Sequence, residues 1–570
     1  MALTTLAQVA WVGVPLLLVY LYDRLRAYRF RQNFNIPQPK PSLILGNMGT
    51  VGEYMKKGNP ERNTDYIWSD ISKALGDPPL YLVDVRPFSA YPICIVNSHE
   101  IAEKLSKASK LFAYGTTKSP TMSSLQPIVG RESILIQDGE EWKSLRKIFN
   151  PGFAPQHLIS LLPRICEKTI PFVNRLDELA RSGEEFALDS LCVSLTFDII
   201  GAVVLDLDLH AQAPEEQQSQ IVRDYTKLLG AFSDIGMGVI VMPWTALRRW
   251  YRGRKADQAV KAAIQQKFDE VKNPQATKSA TAAKSVVALA LQHVDKLTPG
   301  LLQQTADQIK TFLFAGHDTT AILLQWAIYE LSRHPRALAT LRAEHDEVLG
   351  PDTSPAAVIE AFTTRGEETM RRMKYTSAVI KEVLRLYPPA GTARFAPKGT
   401  GFTLPVGADG RDACVDGMVL YICHHLIQRD RAVYGDTADV FVPERWLGDA
   451  DTDAAASAAA VAEDSAGTGA GKPRDDKRTP ASAWRPFERG PRHCIGQELA
   501  NIEARVILAC IARRYDFVKV GIGALDYDAD GNVVVDDVGR GKCPGEELFN
   551  RRQVTSRPVD GTKVRVSLRK

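Results

Sequence analysis

The chain has 570 residues, 45% of them hydrophobic and 24% charged, with a formal net charge of +4. That apolar content supports a large core, and the length alone allows two to four average domains. So small a charge, with no basic run and no aromatic–basic interleaving, argues against a nucleic-acid binder. Eight cysteines (Cys94, Cys166, Cys192, Cys414, Cys423, Cys494, Cys510, Cys543) are scattered without a CxxC pair. That distribution suits a reducing compartment and not a disulfide-stapled secreted domain.

Residues 2–22 are apolar apart from Thr4, Thr5 and Gln8, long enough for a transmembrane helix. Trp11, Tyr20 and Tyr22 supply interfacial aromatics, and Arg24, Arg26, Arg29 and Arg31 follow. A basic flank on that side predicts an uncleaved anchor with the remaining chain in the cytosol. A cleaved signal peptide would carry its charge before the apolar run. Residues 23–41 are basic and then proline-rich (Pro37, Pro39, Pro41), a stiff linker. Stretches 81–85 and 91–96 alternate and predict a hairpin, with Pro87 and Pro92 near its turn.

From about residue 100 to 343 the period is mostly helical, as in 141–149, 158–180, 188–203 and 305–331. Helix recurs over 356–362 and 367–386, stopped by Pro388 and Pro389. Residues 449–481 are rich in Ala, Asp, Ser and Gly without a large apolar side chain, a low-complexity, disordered surface insert. The C-terminal stretch, with Val533–Val535 and 563–566, reads as short strands and turns. The expected architecture is mainly α with a minor β part, one large domain over 42–570.

Cys494 lies in Phe487-Glu488-Arg489-Gly490-Pro491-Arg492-His493-Cys494-Ile495-Gly496, directly ahead of an amphipathic helical pattern. A sulfur at a helix start meets unpaired backbone N–H groups and the positive end of the helix dipole, both of which favour thiolate. Gly490 and Gly496 allow close approach of something flat and bulky. Arg492 offers a fork for a carboxylate. These are the needs of haem held by one cysteine; a buried, inert cysteine is the plain alternative.

Ala315-Gly316-His317-Asp318-Thr319-Thr320 interrupts an apolar helical stretch with groups that each need a partner. It suits a helix that opens locally beside a cofactor and relays protons, or else a kinked core helix with capped hydroxyls. Glu382 and Arg385 share a helical face, in isolation a routine surface ion pair. Phe441-Val442-Pro443-Glu444-Arg445-Trp446 adds an arginine that could complete a buried network. Trp142 and Arg146, at i,i+4, put an indole donor and a guanidinium on one face, able to reach an anion, or else mark a surface helix. Residues 526–531 have EF-hand-like spacing with Asp537 further on, but no helix pattern flanks them and a hairpin turn fits better.

Taken together and in order, these motifs resemble the cytochrome P450 superfamily, from about Pro37 to the C-terminus. The resemblance implies a P450 fold, a single large helical domain with small β-sheets, behind the N-terminal transmembrane helix. It implies haem b with Cys494 as the axial thiolate to iron. It implies Asp318 and Thr319 as the acid–alcohol pair guiding protons to dioxygen. Trp142, Arg146 and Arg492 match propionate-binding positions, with Arg394 a further one and Phe487, Gly490 and Gly496 shaping the cysteine loop. Glu382, Arg385 and Arg445 match a structural charge triad.

The anchor and proline hinge resemble the microsomal branch, in the endoplasmic reticulum membrane with a cytosolic catalytic domain. The cysteine loop is similar to fungal oxidases of polyketide and terpenoid pathways. The implied reaction is monooxygenation of a hydrophobic small molecule with O2. Electrons would come from a separate NADPH-cytochrome P450 reductase, with cytochrome b5 an optional further donor. Two alternatives stay open on sequence: a haem-thiolate isomerase or dehydratase without external electrons, and a non-catalytic haem-binding protein.

Overall fold

The computed structural model describes residues 2–31, 33–232, 243–272, 285–407, 411–448 and 479–569. Most of the expected insert, 449–478, therefore lies outside the described residues. The chain forms two compact units, Met1–Ser119 with Gly391–Ile427, and Pro120–Ala390 with Gln428–Lys570. Strands near residues 392–422 join the N-terminal hairpin in one sheet, a pairing that local periodicity does not encode.

In the first unit a helix runs over Ala2–Arg26. Its described apolar side chains are bare, with Trp11 81%, Leu16 65% and Val19 64% exposed. A helix so apolar and so unpacked is suited to lipid. A short π-helical turn, Ala27–Arg31, follows. Here the expected basic flank needs correcting, because Arg29 is buried. Arg29 pairs with Asp84 and donates to the carbonyls of Leu43, Ile44 and Arg86. Burial works to raise the Asp84 pKa, but hydrogen bonds and charge from Arg86 and Arg29 prevail and hold it below the usual range.

The predicted hairpin forms, Leu80–Val83 against Ile93–Val96. Ile93–Val96 pairs in parallel with Val419–Ile422, which pairs antiparallel with Thr392–Phe395, and Thr117–Lys118 closes the five-stranded sheet. Leu80, Leu82, Cys94, Val96, Leu420 and Ile422 fill one face of it.

The second unit is built on the helix Pro299–Arg333. Thr298 caps its start by accepting from the Leu301 N–H at 3.3 Å, with Pro299 at the first helical position, an arrangement that stabilises by about 1 kcal/mol. Leu188–Leu205 packs against it. That second helix is long and apolar enough to cross a membrane, yet 72% of it is buried, so its apolar surface is spent on the core. The helix expected over 158–180 is two, Pro155–Ser160 and Leu162–Ser182. Of the two later ones, the first runs on to Pro355–Arg372, with non-helical backbone at Arg365 where the expected break falls, and the second is shortened to Lys374–Leu386. Lys563–Leu568 pairs with Tyr515–Lys519 and Phe186–Ala187. At the Asp-rich segment Tyr527 bridges Val533, and Asp528 accepts from the Asp530 and Asn532 amides, which is a turn.

Glu382 and Arg385, on Lys374–Leu386, have fully buried side chains. Arg385 Nε and Nη2 donate to the two oxygens of Glu382 at 2.9 and 2.8 Å. Its remaining donors reach the carbonyls of Gln428, Ala438 and Val440. Glu382 also accepts from Arg445 Nε at 3.1 Å, Trp446 Nε1 at 2.9 Å and the Val442 amide at 2.9 Å. The surface-pair alternative is thereby excluded: this is a saturated network in the interior. Removing one partner of such a pair strands the other charge at a cost of about 3–5 kcal/mol. Glu382→Gln is expected to lower unfolding stability by that amount in urea titration, and a loss of under about 1 kcal/mol would match a surface pair instead.

Candidate functional site

The cysteine loop leads into the helix Gln497–Ile511, with Gly496 at its N-cap. Gly490 takes φ +72°, a left-handed conformation that favours glycine. The Cys494 amide donates to the Phe487 carbonyl at 2.8 Å, closing the loop on itself. Cys494 is exposed on one side and crowded by protein on the other. Crowding raises the thiol's pKa, while the Gly496 amide, the Arg146 charge and the Gln497 amide oppose that rise without reversing it. The sulfur thus sits where helix-start N–H groups converge, and a nearby cation completes the setting.

Arg146 comes from the helix Gly139–Phe149. Its Nη1 donates to the His493 carbonyl and its Nη2 to His493 Nε2, both at 3.0 Å. His493 Nδ1 lies 3.1 Å from the Gly490 carbonyl, which can only accept. Nδ1 therefore carries the proton and Nε2 accepts from Arg146, so both ring nitrogens are committed and neither is free to bind iron. Burial and Arg146 lower the His493 pKa, in keeping with a neutral ring.

Arg492, one residue before His493, is held by the same helix start. Its Nη1 donates to Asp138 at 3.0 Å and its Nη2 to the Gln137 carbonyl at 2.7 Å. The guanidinium stacks over the Trp142 ring at 4.6 Å. The carboxylate that this fork meets in the structure is thus Asp138. Trp142, Arg146, Arg492 and Cys494 are brought together as the sequence predicts. Arg394 lies in the first unit, fully buried on the strand Thr392–Phe395, with Nη1 donating to the Thr116 carbonyl at 3.3 Å.

The helix Pro299–Arg333 runs without a break through residues 315–320, so the expected local opening or kink is not there. What opens is the burial. Ala315 is exposed and Gly316 and Thr319 are half-buried, while Phe312 to Phe314, His317, Asp318 and Thr320 are buried. Positions 315, 316 and 319 lie on one helical face, so a bare strip of small residues interrupts an otherwise packed helix. Thr319 Oγ1 donates to the Ala315 carbonyl at 2.8 Å at the edge of this strip. Ile200 would crowd a side chain at Gly316, leaving a carbon there only 2.7 Å from its Cδ1.

Asp318 points elsewhere. It pairs with Arg557 and accepts from the Thr555 hydroxyl, and Arg557 also reaches Asp189 at 2.9 Å. None of these three partners carries a motif signal, since they lie more than 100 residues from Asp318 in sequence. Buried His317 donates Nδ1–H to the Leu313 carbonyl at 2.6 Å and rests beside Phe197. Burial pushes its pKa down to about 4.

The family model for cytochrome P450 matches residues 62–522, most of the chain. The chain belongs to the cytochrome P450 family. It is 32% identical over 511 residues to cytochrome P450 monooxygenase acrF of Aspergillus aculeatus, covering 86% of this chain and 94% of that one. It is 26% identical to cytochrome P450 monooxygenase polC of Polytolypa hystricis, over 89% of this chain and 85% of the relative. Cytochrome P450 monooxygenase ALT8 of Alternaria alternata is 29% identical over 72% and 73% of the two chains.

The protein is accordingly a P450 monooxygenase, an enzyme with haem iron on a cysteine thiolate. Its residues fit that group: an open sulfur at a helix start, an adjoining cluster of Trp142, Arg146 and Arg492, and a bare strip that a flat ring can cover. P450 enzymes oxidise a substrate with O2 and a redox partner, and the chain's exposed apolar N-terminal helix suits membrane association.

Two outcomes follow from the geometry. Arg146→Leu removes the cation whose charge acts on Cys494 and the bonds that fix His493. It is expected to lower the haem content of purified protein, read as Soret absorbance per protein; unchanged content would show that Arg146 does not support the site. His317 is neutral when folded and titrates at its ordinary 6.5 when unfolded. Its stabilisation is present above pH 6.5 and is lost as pH falls toward about 4, a loss of roughly 3 kcal/mol. The unfolding midpoint of His317→Phe should therefore decline less over that window than the native protein's, with buried His345 contributing equally to both.

Proposed function

We propose that Cys494 is the axial ligand, that Trp142, Arg146 and Arg492 hold the haem propionates, and that Asp318 and Thr319 deliver protons. Phe487, Gly490 and Gly496 shape the loop, Glu382, Arg385 and Arg445 brace the fold, and Arg394 enters as a propionate partner on the resemblance alone. One observation carries this reading: an open sulfur at a helix start, accepting from the Gly496 and Gln497 amides beside Arg146. Bound haem supplies the one-electron and dioxygen chemistry.

The chain's own residues divide the remaining work. Gly496 and Gln497 orient the sulfur and favour its charge. Thr319 presents a hydroxyl at the bare strip, where turning away from the Ala315 carbonyl lets it hold or pass a proton. Asp318, one residue earlier, is the acid that resupplies it. The small side chain of Ala315, exposed on the strip, leaves room for a bulky apolar substrate. The oxidation is hydroxylation, epoxidation or desaturation of a hydrophobic small molecule, in a fungal polyketide or terpenoid pathway. The fungal sources of the relatives support that context. Electrons come from an NADPH-cytochrome P450 reductase, with cytochrome b5 optional. The single-pass anchor places the enzyme in the endoplasmic reticulum membrane, its catalytic part cytosolic.

The test is a carbon monoxide difference spectrum of the reduced protein. Native protein should give the thiolate-type band and Cys494→Ala should lose it; a band retained in the variant would overturn the ligand assignment. Thr319→Ala should keep consuming NADPH while forming less product, and undiminished coupling would remove Thr319 from the relay.

A further inference from the structure

Between Glu547 and Asp560 the chain carries three arginines, Arg551, Arg552 and Arg557, and no acid. Arg551 and Arg557 are cross-strand partners in the hairpin of Asn550–Arg551 and Arg557–Pro558. Residues paired in this way project from one face, where two like charges repel unless each is met. Two carboxylates meet Arg557, those of Asp318 and Asp189. Arg551 holds a neutral acceptor in its fork. Gln553 turns its amide oxygen toward it, accepting from Nε at 3.1 Å and Nη2 at 2.7 Å. The reverse amide orientation would set donors against donors. Two neighbouring N–H groups of this kind are what a guanidinium uses to grip a carboxylate. A fork shaped for two charged oxygens is thus closed by one amide oxygen.

The hairpin places that fork beside the bare strip. Thr555 donates to Asp318, the residue before Thr319 on the central helix. The Ser556 amide donates to the Pro389 carbonyl at 2.8 Å, next to exposed Ala390. Trp326, about two turns along the same helix from Asp318, holds the hairpin base by donating Nε1–H to Asn550 Oδ1 at 2.9 Å. The turn over 552–556 is therefore fixed at both sides, one residue from the Thr319 hydroxyl. Arg551 and Gln553 are each half-buried, neither sealed in the core nor fully in water. An incoming group can reach them, and a charge that does so is poorly screened.

We propose that the Arg551 fork binds a carboxylate of the substrate, so that the hydrophobic molecule oxidised at the strip is an apolar carboxylic acid held by its acid end. The inference rests on the reading of the strip at Ala315 and Thr319 as the place of oxidation. On binding, the carboxylate displaces the Gln553 amide and takes Nε–H and Nη2–H, exchanging a neutral acceptor for a charged one. Arg552, next in sequence, adds a second positive charge to the turn. The apolar body extends from the hairpin over the strip. With one end fixed the molecule cannot slide, so the oxidised carbon is chosen by its distance from the acid group.

The experiment uses the full chain with haem and two matched probe pairs. These are dodecanoic acid with its methyl ester, and the polycyclic dehydroabietic acid with its methyl ester. Affinity is read by calorimetry and by the shift of the Soret band. Native protein should bind an acid more tightly than its ester by about ten- to hundredfold, the gain of meeting donors with a charge. Arg551→Gln should abolish that preference while ester affinity stays as it was. Arg551→Lys should keep part of it, since an ammonium attracts the charge without the fork. Gln553→Glu keeps the arginine but fills its fork with a carboxylate of the chain's own. It should weaken the acids and spare the esters.

A merely structural role for Arg551 and Gln553 would weaken acids and esters together. Native protein that binds both alike, or neither, would overturn the proposal, as would a preference that survives Arg551→Gln. An acid preference seen by calorimetry without a Soret shift would also overturn it, because the carboxylate would then lie away from the strip. Loss of the carbon monoxide band in native protein would instead overturn the haem-site reading. The calorimetric preference, and its loss in Arg551→Gln, would still judge the fork.

Discussion

A carboxylate taken out of water must be met by cations and donors, or it neutralises. Glu382 is the clearest instance in this chain. Five hydrogen bonds, from Arg385, Arg445, Trp446 and the Val442 amide, end on its two oxygens. Arg385 uses the rest of its fork to gather carbonyls at 428, 438 and 440. One buried ion pair thus pins a helix to an irregular segment that has no ladder of its own. The stretch from 479 to the cysteine loop follows in sequence, and Trp484 extends the anchoring by donating to the Lys381 carbonyl at 3.1 Å. Irregular backbone holds a fixed shape here because charge holds it.

The same rule, applied with fewer donors, gives Asp318, His493 and His317 a different character. Asp318 has one cation, and that cation is shared. His493 has both nitrogens assigned, one by a carbonyl that can only accept and the other by Arg146. His317 is neutral because burial removes the water that would stabilise its charge. Saturated groups make scaffold, and sparingly satisfied ones keep a choice of state.

Much of the site was legible in sequence because its demands are local. A cysteine ahead of a helix, with glycines on either side, reads directly as a sulfur among N–H groups, and Trp142 with Arg146 reads as one face of a helix. Glu382 and Arg385 were legible as a pair but not as buried, since Arg445 and Trp446 arrive from some 60 residues away. Arg557 was not legible at all, because nothing in its own neighbourhood marks it as a partner of residue 318. Among the helices, Pro163 was an overlooked sign that 158–180 would divide, its fixed φ suiting a helix start. The break at Met373 has neither Gly nor Pro beside it and depends on packing. The joining of 391–427 to the N-terminal sheet is a long-range pairing, the kind of contact that strand propensity cannot specify.

Arg29 carries a mechanical consequence. An anchor followed by a loose, proline-stiffened tether would let the first unit wander over the membrane at the tether's length. Arg29 shortens that lever to almost nothing, because it is fixed to Asp84 and to backbone at 43, 44 and 86 only three residues after the helix ends. Any tilt of the exposed apolar helix is then passed to the sheet it is pinned to, so whatever holds that helix also acts as a force on the first unit.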